Sequence, residues 1–325
     1  MAKERPRAVF ISSHVFGAEF LAGMLARNKQ TSEGISFELV VTVQPSPAIS
    51  TVGVVSLDRL AAEHSIPHLA VPTVKSPALA AQIHTKQPDY ILAIGLSELL
   101  PAYILDIPMQ VHGARSRHSS AHGVLGVHPT LLPQGRGRAP IPWTIIKGLK
   151  KTGITAFMLE EDADSGGIVR QQEMKLAEHE TATSLFQAMS KMHGRLGVEL
   201  LPALAKRTLT WIDQDTSQVS VWPRRYPEDG LISFSQSTAS VDRLIRGLTK
   251  PYPGAFFYYR DQKIVVNSAI PTIQGHGVPT GQIIEVNSLG LPIVACGDGY
   301  IECIDIEVSD TFNFQVGESV EPRRN

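Results

Sequence analysis

Two residues in this sequence, a histidine and an aspartate, have the chemical types and surroundings needed to move protons around a carbonyl group. His128 lies in a segment rich in Gly, Pro and Arg, residues 126–140, and Asp164 follows 36 positions later in a short Asp/Ser/Gly stretch. A carboxylate stabilises the protonated form of a nearby histidine, which can then donate a proton or a hydrogen bond to a developing oxyanion. The pair therefore predicts general-acid chemistry in an acyl transfer. The alternative is a structural histidine and an aspartate in an ordinary turn.

The surrounding sequence predicts the elements that would position these two residues. Over residues 1–200, short apolar or β-branched runs alternate with amphipathic stretches, which is typical of βαβ units and a parallel sheet. The predicted strands are residues 8–12, 37–43, 90–94, 124–128 and 155–159, and the predicted helices are residues 16–27, 57–64, 78–84 and 182–206. His128 closes one strand and Asp164 follows another, so both are expected at the carboxyl edge of the sheet, where ligands bind in such folds.

The C-terminal part has a different pattern. Trp222-Pro223-Arg224-Arg225 is predicted to be a linker. From residue 281 onward, short strands are broken by the turn sequences Asn287-Ser288-Leu289-Gly290 and Gly297-Asp298-Gly299, which predicts a small β-barrel. The two cysteines, Cys296 and Cys303, are too few for a disulfide framework and are expected to be reduced core residues.

Longer stretches of literal sequence resemble a known family, the 10-formyltetrahydrofolate-dependent formyltransferases. The resemblance rests on Leu131-Leu132-Pro133, Arg136-Gly137-Arg138-Ala139-Pro140, Gly153-Ile154-Thr155 and Asp162-Ala163-Asp164. Residues 227–232 and 251–256 are similar to the second domain shared by methionyl-tRNA formyltransferase and UDP-aminoarabinose formyltransferase. The resemblance implies an α/β fold with a Rossmann-like parallel-sheet formyltransferase domain, residues 1–208, and a smaller C-terminal OB-like β-barrel domain, residues 209–325.

The resemblance also implies roles for particular residues. It makes His128 and Asp164 the catalytic residues and 10-formyltetrahydrofolate the co-substrate that donates the formyl group. The implied folate contacts follow the predicted strand at residues 90–94 and are Leu96, Ser97, Glu98 and Leu99, with Asp162 and Ala163 on the opposite side. From the residue types alone, the stretch around residues 96–99 is only the end of a buried strand and the start of a helix.

Gly126 departs from the family pattern, which has Asn two residues before the histidine, where the amide helps to bind the oxyanion. One such donor contributes about 2.7–4 kcal/mol of transition-state stabilisation, so either another group replaces it or the reaction is slow. A polar run that looks like an insertion is the candidate source of that donor and contains Ser116, His118, Ser119, Ser120 and His122. The alternative is that this run is a solvated loop.

Three further residues are candidate substrate contacts. Ser13 and His14 follow the first predicted strand, where the backbone amides of a strand-to-helix turn can hold an anionic or polar group. A helix cap at the same position is compatible with that role. Arg138, in the Gly-rich turn after His128, is predicted to contact the substrate, whereas Arg136 is predicted to fix the loop.

The distribution of charge bears on the formyl acceptor. Residues 211–325 contain nine Lys/Arg and fourteen Asp/Glu, a net charge of −5, and the rest of the chain, with 21 against 17, carries +4. A domain that grips tRNA phosphates should be basic. Residues 42–55, where methionyl-tRNA formyltransferases carry a lysine-bearing insertion, contain no charged residue. We therefore expect the acceptor to be a primary amine on a small molecule, specifically a nucleotide-linked amino sugar. The alternatives are methionyl-tRNA formylation and a folate-binding protein without turnover.

Composition and missing motifs exclude other classes of protein. The 325 residues are 43% apolar and 19% charged, as in soluble globular proteins. No run approaches the ~18 apolar residues of a membrane span, and no signal segment follows the charged start, so a cytoplasmic location is expected. Dinucleotide-binding, Walker A and zinc-protease motifs do not occur. The histidines at 112, 118, 122 and 128 are closely spaced, but their run contains no cysteine or carboxylate, so no metal site is predicted.

Overall fold

A seven-stranded sheet forms the centre of the first of two units in the computed structural model, which describes residues 4–44, 52–114, 118–272, 277–308 and 313–320. The first unit comprises Met1–Gly137, Lys151–Met174 and Gln187–Trp222, and the second comprises Arg138–Lys150, Lys175–Phe186 and Pro223–Asn325. The strands of the sheet are β1 (Arg7–Ser12), β2 (Ser36–Val43), β3 (His68–Val71), β4 (Tyr90–Ile94), β6 (Gly123–His128), β8 (Lys151–Met158) and β9 (Ile168–Lys175).

The strand order is β3-β2-β1-β4-β6-β8-β9. The five strands from β3 to β6 in this order are parallel to their neighbours, which confirms the predicted parallel sheet. β8 runs antiparallel to β6, a reversal that the apolar pattern does not reveal because that pattern is the same in either direction. β1, β4 and β6 therefore end at one edge of the sheet, at Ser12, Ile94 and His128.

Helices and short strand pairs complete the first unit. They are α1 (Val15–Asn28), α2 (Asp58–Glu63), α3 (Pro77–Thr85), α4 (Ala102–Leu105), α5 (Ile107–His112), the 3-10 helix Thr216–Gln218, and the pairs β5 (Ser119–Ser120) with β10 (Leu209–Thr210) and β7 (Arg136–Gly137) with β11 (Val221–Trp222). The long helix α7 (Ala182–Lys206) has the predicted bounds. Within the described ranges, no helix combines the length and apolar character that crossing a bilayer requires.

Glycines allow α1 and the first-unit part of α7 to approach at backbone distance. A Cβ atom on Gly23 would lie 2.2 Å from the Gly194 carbonyl oxygen, and one on Gly197 would lie 2.4 Å from the Phe20 carbonyl oxygen. Contacts this short exclude any side chain at these two positions. The approach brings His193, next to Gly194, onto the first turn of α1, where its ring stacks on Phe16.

A five-stranded antiparallel sheet forms the centre of the second unit, which confirms the predicted small C-terminal β domain. Its order is β12 (Ala255–Tyr259), β13 (Gln262–Thr272), β16 (Tyr300–Glu307), β15 (Pro292–Ala295) and β14 (Ile283–Val286). The unit also contains α6 (Pro140–Ile146), α8 (Thr238–Gly247) and the 3-10 helix Pro227–Gly230. α8 packs closely on α6, since a Cβ on Gly247 would lie 2.9 Å from Ile146 Cγ1. Cys296 and Cys303 are free and buried in the core, as predicted.

Candidate active site

His128 and Asp164 lie side by side at the carboxyl edge of the parallel sheet. His128 is the last residue of β6, and Asp164 lies in the loop between β8 and β9. His128 Nδ1 is 3.5 Å from Asp164 Oδ2, and both side chains are mostly buried. His128 Nε2 is 2.7 Å from the Gly135 carbonyl oxygen. A carbonyl can only accept, so Nε2 carries a hydrogen and Nδ1 faces the carboxylate.

The backbone of Asp164 adopts a conformation that is uncommon for residues other than glycine. Its φ of 54° lies in the left-handed region. Asp164 Oδ2 accepts a hydrogen bond from the Gly137 N–H at 2.8 Å, so one carboxylate oxygen faces both Gly137 and His128. Gly137 has a φ of 104°, and a Cβ there would lie 2.5 Å from the Trp222 carbonyl oxygen. Only glycine fits this position, which orients its N–H towards the carboxylate.

A segment that we call the strap, residues 212–222, runs along both loops that bear the pair. Ser220 Oγ accepts the Gly135 N–H at 2.9 Å, and the Ser220 carbonyl accepts the Arg136 N–H at 2.9 Å. At the other end, Ile212 forms an antiparallel bridge with Ile168. Arg136 donates to the Gln214 side chain, as its predicted loop-fixing role requires. The sequence analysis missed Ser220 and Gln214, because both lie in a segment without a motif.

The space beside Gly126 is filled by apolar side chains. A Cβ on Gly126 would lie 2.8 Å from Leu159 Cδ2 and 3.2 Å from Phe157 Cε1. Phe157 lies opposite Gly126 in the β6–β8 pairing and belongs to a small buried cluster against which Leu159 packs. An asparagine side chain here would have to displace the ends of these two side chains, which are packed around a glycine.

The described part of the polar run, the candidate source of the missing donor, lies at the opposite end of β6 from the catalytic pair. His118, Ser119, Ser120 and His122 precede β6, whereas His128 ends it, and a six-residue strand separates its two ends by roughly 17 Å. His118 Nε2 instead lies 2.9 Å from Asp213 Oδ2. Ser116 lies outside the described residues. Among the described residues, no three His, Cys, Asp or Glu side chains are grouped to hold a metal ion.

Two amides of the turn between β1 and α1 are hydrogen-bonded within the turn. The His14 N–H donates to Ser12 Oγ at 3.1 Å, and the Phe16 N–H donates to His14 Nδ1 at 3.1 Å, so His14 caps α1. The next hydroxyl, Ser13 Oγ, is 3.5 Å from the Gly95 carbonyl oxygen, just after β4. Ser13 and His14 thus lie at the same sheet edge as His128, and their contact with substrate stays a prediction.

The predicted folate contacts follow β4 at this edge. Leu96, Ser97 and Glu98 are half-buried, and Leu99 is 56% exposed. The Glu98 carboxylate accepts hydrogen bonds from Thr73 Oγ1 at 2.6 Å and from the Val74 N–H at 3.1 Å. Glu98 Oε2 therefore ties its loop to the one after β3, and the folate contact of this residue stays a prediction.

The remaining predicted residues, Asp162, Ala163 and Arg138, are all exposed. Asp162 and Ala163 lie directly before Asp164, and the Asp162 carbonyl accepts from Ser165 Oγ at 2.9 Å. Arg138 is the first residue of the second unit, directly after Gly137. Their roles in folate and substrate binding stay predictions.

A further histidine, His193, lies behind the site and is fully buried. Its Nδ1 donates to the Met189 carbonyl at 2.7 Å, and its ring stacks on Phe16 with centroids 4.5 Å apart. Phe16 in turn meets the edge of the His14 ring at 4.4 Å. Burial lowers the pKa of His14 to about 4, and burial together with the nearby His14 and His128 lowers the pKa of His193 to about 4. Its position four residues after Met189, in the apolar stripe of α7, is the sequence signal that could have indicated its burial.

Acidification is expected to destabilise the fold through these two histidines. Their pKa falls from 6.5 in the unfolded chain to about 4 in the folded one, so the unfolded state binds more protons as the pH falls through this window. Each histidine can remove up to roughly 3 kcal/mol of the free energy of unfolding between pH 6.5 and 4. Denaturant titrations at several pH values should show that His193→Leu flattens this dependence by about one proton. The exposed control His84→Leu should not, and an unchanged slope in His193→Leu would contradict the assignment.

Two protein-family models match this chain. A family model described as "Formyl transferase" matches residues 8–201, and one described as "Formyl transferase, C-terminal domain" matches residues 225–312. The first match contains His128, Asp164 and the predicted folate contacts. The strap, residues 212–222, lies between the two matched regions.

Solved structures with the same fold include three relevant ones. An N-formyltransferase from Helicobacter canadensis, in complex with folinic acid and dTDP-3-aminofucose, aligns with a TM-score of 0.64 at 14% identity over 92% of this chain and 99% of that one. WlaRD, a sugar 3N-formyl transferase with dTDP and 5-N-formyl-THF, aligns with a TM-score of 0.65 at 13% identity over 95% and 100%. HypX from Aquifex aeolicus, in complex with tetrahydrofolic acid, aligns with a TM-score of 0.57 at 15% identity over 94% of this chain. The chain spans 45% of HypX, and identities this low show the fold alone.

Proposed function

Because the chain belongs to the formyl transferase family, we propose that it transfers a formyl group from 10-formyltetrahydrofolate to the primary amine of a nucleotide-linked amino sugar. The observation that carries the proposal is the His128–Asp164 contact of 3.5 Å within the family-matched residues. The folate donor is supported by relatives whose structures hold tetrahydrofolic or folinic acid, and the acceptor by the relative that holds dTDP-3-aminofucose. A cytoplasmic location remains part of the proposal.

The proposed reaction forms a bond between the amine nitrogen and the formyl carbon and breaks the bond from that carbon to the folate nitrogen. The His128 Nε2–H donates to the Gly135 carbonyl in this structure, so the formyl oxygen competes with that carbonyl for the same hydrogen. The protonated ring then supplies the proton that the departing folate nitrogen needs. Asp164, facing Nδ1, stabilises that protonated ring and accepts the amine proton through it or through water.

The oxyanion site proposed for this chain differs from the family pattern. Leu159 and Phe157 occupy the space of an asparagine side chain at position 126, and the described part of the polar run lies at the far end of β6. His128 and a backbone amide are therefore the proposed donors to the oxyanion.

Charge supports a small acceptor over tRNA. Residues 211–325 carry a net charge of −5, which repels a phosphate backbone rather than attracting it. A nucleotide-linked sugar presents only a diphosphate, which one or two cationic or backbone donors can hold. The amino sugar therefore ranks above methionyl-tRNA as the proposed acceptor.

Incubation with 10-formyltetrahydrofolate is expected to release tetrahydrofolate when a dTDP- or UDP-linked amino sugar is present. The matched control is the N-acetylated form of the same sugar nucleotide, which has no free amine and should support no release. Initiator methionyl-tRNA, tested at low salt where its binding would be strongest, should also support none. The measurement is the initial rate of tetrahydrofolate formation.

Two outcomes would replace the proposal. If tetrahydrofolate is released with methionyl-tRNA but with none of the amino sugars, and its rate of release falls steeply with salt, the protein is the tRNA enzyme. Stoichiometric binding of the folate without release for any amine would identify a folate-binding protein. The chain spans 45% of HypX, and it covers 99% and 100% of the Helicobacter canadensis enzyme and of WlaRD.

A further inference from the structure

Gln214 is a buried amide in the strap that joins the two loops bearing His128 and Asp164. Its side-chain oxygen accepts hydrogen bonds from Arg136 Nε at 3.1 Å and Nη2 at 2.7 Å. Its side-chain nitrogen donates to the Asp164 carbonyl at 2.7 Å and to the Gly166 carbonyl at 2.8 Å. Gln214 is only 8% exposed. Both donors and both acceptor sites of the amide are therefore used, and all four bonds go to the catalytic loops.

The side-chain oxygen of Gln214 binds Arg136, whose two neighbours along the chain contact His128 and Asp164. Arg136 lies between Gly135, whose carbonyl accepts from His128 Nε2, and Gly137, whose N–H donates to Asp164 Oδ2. A shift of the Arg136 backbone moves both partners at once. The Oε1 atom thus acts on the histidine and the aspartate through a single neighbour.

The nitrogen end of Gln214 holds the aspartate's own backbone. Asp164 has a φ of 54°, a conformation that costs free energy for a residue with a side chain and persists only where its surroundings hold it. The Nε2 bonds to the carbonyls of Asp164 and Gly166 bracket this residue. They are bonds that only an amide or a cation can donate at this position.

We propose that Gln214 is a positioning residue for formyl transfer, which sets the separation and orientation of His128 and Asp164 by bonding both of their loops. The inference rests on the proposed function for its catalytic consequence. Gln214 touches neither ring nor carboxylate, so it acts through Arg136 and through the Asp164 backbone. Reacting groups misplaced by about 1 Å can lose about 10²-fold in rate, so such a residue has a measurable effect.

Gln214→Glu tests the contribution of the amide nitrogen separately from that of the amide oxygen. Glutamate has the same length and keeps oxygen acceptors for Arg136, to which it adds an attractive charge. It loses both donors and places a carboxylate oxygen against two carbonyl oxygens. Gln214→Met, which has a similar volume and no hydrogen-bonding capacity, removes both ends and serves as the second variant.

Asn287→Asp is the matched control in the second unit. Asn287 also makes four hydrogen bonds, donating to Glu302 Oε1 and the Cys303 carbonyl and accepting from the N–H groups of Leu289 and Leu291, all at 3.0 Å. The change likewise turns a donating amide nitrogen into an oxygen. Asn287→Asp should therefore lower the free energy of unfolding as such a substitution generally does, without changing any contact of the catalytic loops.

The kinetic test is tetrahydrofolate release by each variant with an amino sugar acceptor. We expect Gln214→Glu and Gln214→Met to lower kcat by about 10- to 100-fold, with KM for the folate changed by less than about threefold. Asn287→Asp should retain the wild-type kcat. Thermal melts establish that each variant is folded at the assay temperature. A purely structural role would lower the melting temperature of the Gln214 variants and leave the kcat of the folded protein unchanged.

A second readout does not depend on turnover. Nuclear magnetic resonance of protein with isotope-labelled histidine reports the His128 ring, whose signals are assigned by their loss in His128→Gln. We expect the chemical shifts of the His128 ring to change in both Gln214 variants and to stay unchanged in Asn287→Asp. If the wild-type protein formylates no amine, the proposed function fails while this readout still tests Gln214. Unmoved His128 signals together with an unchanged kcat would overturn the inference.

Discussion

Replacement of His128 by alanine is expected to lower the rate of tetrahydrofolate release by about 10²–10⁴-fold, the range contributed by a general acid–base group. The variant loses the Nε2–H that is the proposed donor to the formyl oxygen and the ring that Asp164 faces at 3.5 Å. Asp164→Asn is expected to cause a loss within the same range, because it removes the charge but keeps an oxygen for the Gly137 N–H. The measurement is the initial rate at saturating folate and amino sugar.

A second histidine–aspartate pair provides the control for this experiment. His118 Nε2 lies 2.9 Å from Asp213 Oδ2, and both side chains are exposed. His118→Ala removes a pair that is closer than the catalytic one, 2.9 Å against 3.5 Å, but lies away from the His128 end of β6, and it should retain the wild-type rate. Near wild-type rates in folded His128→Ala or Asp164→Asn would show that the buried pair does not carry the chemistry.

Restoring the family's asparagine at position 126 is expected to lower activity rather than raise it. The first atom of the new side chain would already lie 2.8 Å from Leu159 Cδ2, and its amide must also pass Phe157. Overpacking of this kind costs about 1–3 kcal/mol and displaces neighbouring atoms. Gly126→Asn should therefore show a reduced melting temperature and no gain in kcat.

Making room for that amide is expected to reverse the result. In the double variant Gly126→Asn/Leu159→Ala the side chain can occupy the space that the leucine vacates, where the amide can donate to the oxyanion. The rate should exceed that of Leu159→Ala alone by up to about 10²–10³-fold, the contribution of one oxyanion donor. A large gain in Gly126→Asn by itself would falsify the view that the site is shaped around glycine.

The position of His128 could be predicted because it depends on the end of a strand. Asp164 follows β8, which runs antiparallel to β6, so the meeting of parallel strand ends does not account for its place beside His128. β1, β4 and β6 are short, apolar and buried, so the sequence locates their ends, and the residues that follow parallel strands meet at one edge. The same rule could have excluded the polar run at His118 to His122, since it precedes β6 rather than following it. The edge strands β3 and β9 were not predicted, because their exposed positions dilute the apolar pattern.

The supports of the pair could not be predicted, because they come from distant parts of the chain. Gln214 and Ser220 are common polar residues in an irregular segment, and their significance appears only when the strap lies against loops some fifty to ninety residues earlier. The filled space beside Gly126 is likewise a tertiary property, since Leu159 belongs to another strand's end. His193 reaches the site only because glycines let α1 and α7 approach at backbone distance.

The strap has a consequence for how this family can diversify. Recombination produces genes that keep the N-terminal portion of one member and gain the C-terminal portion of another. A crossover between residues 208 and 214 would replace the strap that lies along the loops of His128 and Asp164, and with it both Gln214 and Ser220. A crossover after Trp222 would leave those bonds intact, and the incoming portion would need only a helix face that fits α6, as α8 does here. The boundary at which the C-terminal portion can be exchanged without loss of these bonds therefore lies after the strap, at the proline that follows Trp222.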